Sequence, residues 1–311
     1  MEFIRDFYNL KPEHRNCVAT IGNFDGVHKG HQQLIAKLIH KAEALNLPAT
    51  VILFEPHPME YFLQKKAAAR LMRLREKLAV LNVLGVDRVL CLRFNEKLAQ
   101  LAATEFIEQV LIDGLGVKSI IVGDDFHFGH QRKGDIALLR LYGQQFDFEV
   151  EATETFYIDN KRVSSSWVRK ALADADLDLA EQLCGRRFSM SGRVAHGDKR
   201  GRILGFPTAN LYLHRNVVPL AGIYSVLIHG LSSDPLTGVA DVGNRPTIDG
   251  DGRTLLEVHI FDFNQVIYGR YINVEFVHKQ RDEEKYASLE ELRQQILKDA
   301  EEARQYFRDK F

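Results

Sequence analysis

Up to about residue 150 the chain alternates short β-branched runs with amphipathic helical patterns; after about residue 185 it stops doing so. This change of rhythm constrains the fold more than any other feature. Strands are predicted at Cys17–Ile21, Thr50–Phe54, Arg88–Leu92, Ser119–Val122 and Phe148–Glu151. Between them the apolar spacing predicts helices at about Lys29–Ala44, Arg70–Leu84, Thr104–Leu111 and Ile136–Tyr142. Strand–helix alternation at this spacing builds a parallel sheet covered by helices on both faces, with ligands at the carboxyl ends of its strands. The later strands, Ser189–Val194, Ile223–Ile228, Leu255–Phe261 and Ile272–Val277, are separated by Gly, Pro, Asn and Asp turns. That is an all-β pattern, read as an antiparallel barrel. A last helix from about Leu289 to Phe307 keeps Leu292, Ile296, Ala300, Ala303 and Phe307 on one face. The expected organisation is an α/β domain at 1–185, ending in short linking helices over Ala171–Gly185, and a β-barrel domain with a terminal helix at 186–311. A chain of 311 residues is of a size for two cores.

Charge and cysteine content narrow the function. Lys plus Arg number 41 and Asp plus Glu 42, a net charge of −1. There is no global basic excess of the kind that draws a protein onto nucleic acid, so no nucleic-acid partner is expected. Cys17, Cys91 and Cys184 lie far apart with no CxxC pair, which gives no zinc signal and suits a reducing compartment. The N-terminus is charged and the longest apolar runs fall far short of a membrane helix. A soluble, cytoplasmic protein without a membrane partner is expected.

The first predicted strand runs into Gly22-Asn23-Phe24-Asp25-Gly26-Val27-His28-Lys29-Gly30-His31, a glycine-containing turn that opens a helix. Backbone N–H groups at a helix start attract anions. His28 and His31 share a face of the first turn, and Gly30 between them leaves room for a phosphate. Two imidazoles there can donate hydrogen bonds to oxygens that gain charge during phosphoryl or nucleotidyl transfer. The segment is neither a Walker A loop nor a GxGxxG fingerprint. Its HxGH pattern resembles the HxGH nucleotidylyltransferase superfamily, a Rossmann-like α/β group that joins a nucleotide α-phosphate to an acceptor and releases pyrophosphate. Val163-Ser164-Ser165-Ser166-Trp167-Val168-Arg169 is similar to that family's ISSTxxR element, with Ser166 where Thr is usual. The hydroxyl survives that change, and Arg169 supplies a planar fork for phosphate oxygens. Gly123-Asp124-Asp125-Phe126-His127-Phe128-Gly129 follows another predicted strand. Its aromatics flanked by carboxylates suit a planar ligand with polar edges, or a turn whose Phe rings plug the core.

The barrel half opens with a basic, glycine-rich stretch, Gly192 to Arg202, followed by Gly205-Phe206-Pro207-Thr208-Ala209-Asn210. Glycines let backbone amides face phosphates, and the hard oxygens of Thr208 and Asn210 suit Mg²⁺ carried with ATP. Glu257 interrupts the apolar strand Leu255–Ile260, where a carboxylate can serve as a general base for a hydroxyl. GRVxHGxxxGRxLGFPTAN, the GxRPT of Gly243–Thr247, the Glu257 strand and Arg281 before the last helix are together similar to riboflavin kinase. Joined to the HxGH half, the chain resembles, over nearly its whole length, the bacterial bifunctional riboflavin kinase/FAD synthetase family.

That resemblance implies two reactions. The C-terminal domain would phosphorylate riboflavin to FMN with ATP, Glu257 acting as base. Thr208 and Asn210 would engage Mg-ATP and its metal, with Gly197, Gly201 and Arg202 in the phosphate loop and Arg281 near the flavin. The N-terminal domain would adenylylate FMN to FAD. His28 and His31 would stabilise the transition state, Asn23, Asp25, Gly30, Ser165 and Arg169 would place ATP, and Asp124, Asp125, Phe126 and Phe128 would hold FMN. Three alternatives stay open at this point: an adenylyl- or cytidylyltransferase for another small molecule fused to a β domain, a binding module that is a flavin-sensing regulator or nucleic-acid protein, and an enzyme with one silent domain.

Overall fold

The computed structural model describes every residue except 198–204, 214, 216, 246–252 and 311; the side chains of 244, 245 and 253 are likewise not described. It divides into two compact units, Met1–Ala68 with Met72–Ser165, and Ala69–Leu71 with Ser166–Phe311.

The first unit is an α/β fold. Its strands are β1 (Glu2–Arg5), β2 (Val18–Ile21), β3 (Ala49–Glu55), β4 (Arg88–Arg93), β5 (Ser119–Gly123) and β6 (Glu149–Thr153). They form a parallel sheet in the order β1-β4-β3-β2-β5-β6. β2 is buried at every position and β3 at its first five, as expected of strands covered on both faces. Its helices are α1 (Lys29–Leu45), α2 (Pro58–Leu63), α3 (Leu74–Val83), α4 (Glu96–Gln100), α5 (Ala103–Phe106, continued by a π-helical stretch Ile107–Gly114) and α6 (Ile136–Phe146). A hairpin of β7 (Tyr157–Ile158) and β8 (Lys161–Arg162) follows. The chain steps from β2 to β3 and β4 on one side, then returns to place β5 and β6 on the other. The carboxyl end of β2 therefore stands at the reversal of strand order, where open α/β sheets bind their ligands.

The second unit begins with α7 (Ser165–Ala173, of which Ser165 belongs to the first unit) and α8 (Leu177–Cys184). A closed antiparallel barrel follows, built of β9 (Ser189–Ala195), β10 (Ala209–Tyr212), β11 (Gly222–His229), β12 (Leu236–Arg245), β13 (Arg253–Ile260) and β14 (Tyr271–Arg281). Its circular order is β10-β13-β12-β11-β14-β9. The terminal helix α9 (Leu289–Lys310) buries Ala303 and Phe307 in a cluster with Leu227 and Phe261.

The fold class matches the expectation from sequence, and the differences have local causes. The helix expected from Arg70 starts at Leu74. Met72 N–H is committed to Asp25 Oδ1 at 3.0 Å and Arg73 N–H to Glu76 Oε2 at 2.6 Å, which closes the helix start one turn later. Residues 166–185, expected with the first domain, fall in the compact unit of the barrel. Val168, Ala171, Leu172, Ala180 and Leu183 are buried, and α8 packs on β14. Ala69–Leu71 joins that unit because Arg169 Nε donates to Ala69 O, and an Arg215 Nη donates to Arg70 O and Leu71 O. β1, β10 and β12 were not legible as strands. β1 buries only Ile4 at the sheet edge. β12 carries Gly238, Asp241, Gly243 and Asn244, and Gly238 is required there because a Cβ would meet His259 O at 2.4 Å.

Candidate functional sites

In the first unit the turn after β2 is held in an uncommon conformation. Phe24, Gly26 and Val27 have φ of +46°, +84° and +39°. Left-handed backbone at a β-branched residue is costly and persists only where its surroundings enforce it. Here they do. Val27 is fully buried, its carbonyl accepts from Gln32 Nε2 at 2.8 Å, and its N–H donates to Phe24 O at 3.3 Å. Asp25 is buried: its carboxylate accepts the Met72 N–H and its carbonyl accepts the Ser165 hydroxyl at 2.8 Å. Asp25 thus ties the turn to Met72 and Ser165 within the first unit. The carbonyl of Asn23 accepts from Lys77 Nζ, and Lys77 is itself buried. Asn23 Oδ1 is buried without a protein partner among the described residues.

The turn delivers the two histidines together. His28 caps α1, its Nδ1 accepting the His31 N–H at 3.4 Å, which puts the proton of the neutral ring on Nε2. The two rings stack 3.7 Å apart at 17°. A Cβ on Gly30 would lie 3.3 Å from the His28 ring and 3.5 Å from Phe156 Cβ, so glycine keeps this approach narrow and open. A backbone-lined helix start with two stacked imidazoles can receive an anion and donate to oxygens as they gain charge.

The Asp124–Phe128 loop leaves β5 beside β6. The Asp124 carboxylate accepts from Thr155 Oγ at 2.9 Å and Thr155 N–H at 3.3 Å; Asp125 pairs with Arg162 at 2.5 Å. Phe126 stacks on Phe128 at 5.4 Å, and Phe128 is buried in the core against Phe106. Of the two readings of this loop, Phe128 takes the core-plugging one. An aromatic cluster that sequence reasoning did not find lies past the carboxyl ends of β3 and β4, the end of the sheet that bears the histidine turn. It comprises Phe54, Tyr61, Phe62 and Phe94 in edge-to-face contacts of 5.3–6.0 Å, with Phe62 60% exposed. Its signal was the run of aromatics after Pro58, which the helical and strand periods both left out.

Arg169 belongs to the second unit, where its Nε meets Ala69 O. The expectation that it places ATP rests on the sequence motif.

In the barrel, register brings distant residues into one row. Asn210 of β10 pairs with Glu257 of β13, and Glu257 pairs with Asp241 of β12. Directly opposed residues in a ladder project to the same face. Glu257, Asp241 and Thr208 line a cavity of about 270 Å³ together with Phe206, His259, Tyr286 and one face of α9. Thr208 also borders a second cavity of about 260 Å³, lined by Gly197, Asn210 and the loop Phe263–Tyr268. One hydroxyl-bearing residue therefore stands at both cavities. His259 Nδ1 donates to Pro207 O at 3.0 Å, fixing the segment that carries Thr208. The His196 ring lies 3.8 Å from that of Tyr268, tilted by 32°, beside the second cavity.

Asn210 is buried, with its Nδ2 donating to Thr208 O at 3.3 Å and its Oδ1 lacking a partner among the described residues. A Cβ on Gly197 would sit 2.5 Å from the Asn210 amide, so Gly197 is the wall against which that amide rests. Among the described residues no cluster of three His, Cys, Asp or Glu side chains could hold a metal alone. An oriented, unsatisfied amide oxygen next to a hydroxyl fits a hard cation that arrives with phosphates. Gly201, Arg202 and the Pro246–Thr247 part of the GxRPT stretch lie outside the described residues.

Arg281 lines the first cavity, and each of its three side-chain nitrogens makes a hydrogen bond within the protein. Nε and one Nη donate to the two carboxylate oxygens of Asp299 on α9 at 2.8 and 2.6 Å, and the other Nη donates to Asp282 O at 2.9 Å. That carboxylate holds the Arg281 guanidinium above its ordinary pKa. These three hydrogen bonds use three of the five guanidinium N–H donors, so Arg281 braces α9 at the cavity.

Comparison with known proteins finds a family match in each half of the chain. The FAD synthetase family model matches residues 10–167 and the riboflavin kinase family model residues 184–307. The bifunctional riboflavin kinase/FMN adenylyltransferase of Pseudomonas fluorescens is 50% identical over 98% of this chain and 97% of its own. That of Escherichia coli strain K12 is 49% identical over 99% and 98%. A crystal structure described as a macrolide-efflux protein from Streptococcus pneumoniae is 32% identical and covers 97% of this chain and 98% of its own, with a TM-score of 0.80. Among the described residues no helix of the present chain is long and apolar enough to cross a membrane. With both units matched in order and near-complete coverage at half identity, the chain belongs to the family of bifunctional riboflavin kinase/FMN adenylyltransferases.

Proposed function

We propose that this chain makes FAD from riboflavin in two ATP-dependent steps, with the activities assigned to residues 186–311 and 1–185 respectively. The observation that carries the reading is the barrel row in which Glu257 and Thr208 share one cavity while Thr208, Asn210 and Gly197 line the next. A phosphoryl acceptor in the first cavity and a nucleotide in the second would meet at Thr208.

In the kinase step, Glu257 takes the proton of the ribityl 5′-hydroxyl and the oxygen attacks the ATP γ-phosphorus, with ADP leaving. Thr208 and Asn210 would hold Mg²⁺ together with the nucleotide phosphates; when bound, the ion offsets their negative charge. Gly197 keeps the Asn210 amide in place, and the sequence motif adds Gly201 and Arg202 to the phosphate side. Tyr268 and His196, in close tilted contact, offer an aromatic wall for the nucleotide.

In the adenylyl step, an FMN phosphate oxygen attacks the ATP α-phosphorus and pyrophosphate leaves. His28 and His31 donate to the oxygens that gain charge, while Gly30 admits the phosphates and the turn of Asn23 to Val27 orients the histidines. Asp25 and Ser165 contribute by locking that turn, and Arg169 by its charge. Asp124, Asp125 and Phe126 would border FMN, with Phe128 supporting them from the core. The exposed Phe62 cluster offers further planar faces for the flavin at the same sheet edge. No covalent enzyme intermediate is required.

The test is a time course of the pure protein with riboflavin, ATP and Mg²⁺, with flavins separated by chromatography. FMN rising first and FAD after it is expected. FAD formation without free or bound FMN, or no flavin product, would overturn the reading.

A further inference from the structure

The first barrel cavity has one wall that the barrel does not make. Leu292, Ile296 and Ala300 of α9 line it at helical spacing. Only the C-terminal half of α9 is seated in the core, through Ala303 and Phe307. In the stretch from Leu289 to Lys298 no side chain is fully buried. The first buried residue of the helix is Asp299, 3% exposed, and it is a hub. Its carboxylate takes both arms of the Arg281 fork and the Gln295 amide at 2.8 Å, while its carbonyl accepts from Gln280 Nε2 at 3.0 Å. The guanidinium of Arg281 also lies 5.8 Å from the ring centroid of Tyr286, which lines the same cavity. One cation therefore contacts both sides of the slot: through two hydrogen bonds to the helix that carries the aliphatic wall, and through a cation–π contact to the aromatic wall. A bidentate fork fixes orientation as well as distance.

We propose that the Arg281–Asp299 pair is a positioning device for the flavin, setting the spacing between Tyr286 and the Leu292–Ile296 face of α9 into which the planar ring system enters. The inference rests on the kinase reading above. It assigns Asp299, which touches no reacting group, a role in riboflavin affinity, and it moves Arg281 from ligand contact to brace.

A purely structural pair would behave differently, and the molecule supplies its own control. Arg304, one turn further along α9, forms a second fork with Asp262 at 2.8 and 3.1 Å and lies away from the cavity. The experiment compares Asp299→Ala, Asp299→Asn, Arg304→Ala and the length-exchanged pair Arg281→Lys/Asp299→Glu, all in the full chain. Steady-state constants for riboflavin and ATP, FAD formation from supplied FMN, and thermal unfolding are measured. Asp299→Ala and Asp299→Asn are expected to raise the riboflavin KM by about tenfold, with kcat and the ATP KM within about threefold. Arg304→Ala should leave the riboflavin KM unchanged, and the exchanged pair should recover part of the affinity. FAD formation from FMN should not move in any variant. An unchanged riboflavin KM in Asp299→Asn, an equal rise in Arg304→Ala, or a loss confined to kcat would each overturn the proposal. Absence of riboflavin phosphorylation by the unaltered chain would instead refute the kinase reading itself. If Asp299→Ala does not fold, Asp299→Asn and the exchanged pair decide the matter.

Discussion

Gly197→Ala should silence the kinase while leaving the adenylyltransferase running. A Cβ at residue 197 would stand 2.5 Å from Cγ, Nδ2 and Oδ1 of Asn210. Ordinary contacts of this kind lie at about 3.5 Å, so the amide must retreat by about 1 Å. Asn210 is 6% exposed and has little room to do so. Overpacking of this size costs about 1–3 kcal/mol of stability, which a folded unit tolerates. A reacting arrangement displaced by about 1 Å loses on the order of 10²-fold in rate. The expected outcome is a fall of about 100-fold in kcat/KM for ATP during FMN formation, with FAD formation from supplied FMN within about twofold of normal. The assay is chromatographic separation of flavins at limiting ATP. Asn210→Ala should lose a similar amount, and the double variant should be little worse than either single one, because both remove the same feature. Kinase activity within about threefold of normal in Gly197→Ala would refute the idea that the Asn210 amide is held in place for the nucleotide. Additive losses in the double variant would refute the shared cause.

Two other expectations follow from burial. Phe128→Ala removes a ring from the core of the first unit and should lower its stability by about 3–5 kcal/mol, read by denaturant unfolding. A raised KM for FMN at unchanged stability would instead return that ring to the flavin. Cys17 is fully buried, and burial pushes its thiol up to about 11. At pH 8 it is therefore almost wholly protonated as well as shielded, so a disulfide reagent should label it only after denaturation; rapid labelling of Cys17 in the native protein would contradict this packing.

Much of the architecture was legible because its signals are local. The parallel strands read as unbroken apolar runs, and the HxGH turn and the PTAN segment carry their chemistry in contiguous residues. What could not be read depends on register and on packing between residues far apart in sequence. Nothing in the sequence places Asp241 opposite Glu257, since that pairing is set by how β12 and β13 align, and β12 itself is masked by its glycines and polar residues. Lys77 sits in an ordinary helical pattern, and only the fold directs it to the carbonyl of Asn23. Arg281 was expected near the flavin, but its partner Asp299 lies on a helix that reads as an amphipathic surface element. Asp25 was expected to help place ATP, and only the fold shows that its carboxylate also accepts the Met72 N–H.

The central claim is that two separate sites act in series through free or transferred FMN. The most direct measurement mixes two variants that each lack one of the two activities. Glu257→Gln should make FAD from FMN but not from riboflavin, and His28→Ala should convert riboflavin to FMN and stop there. Incubated together with riboflavin, ATP and Mg²⁺, they should produce FAD, with FMN from one variant supplying the other. Failure of the folded pair to make FAD, or loss of both activities in either single variant, would contradict the assignment.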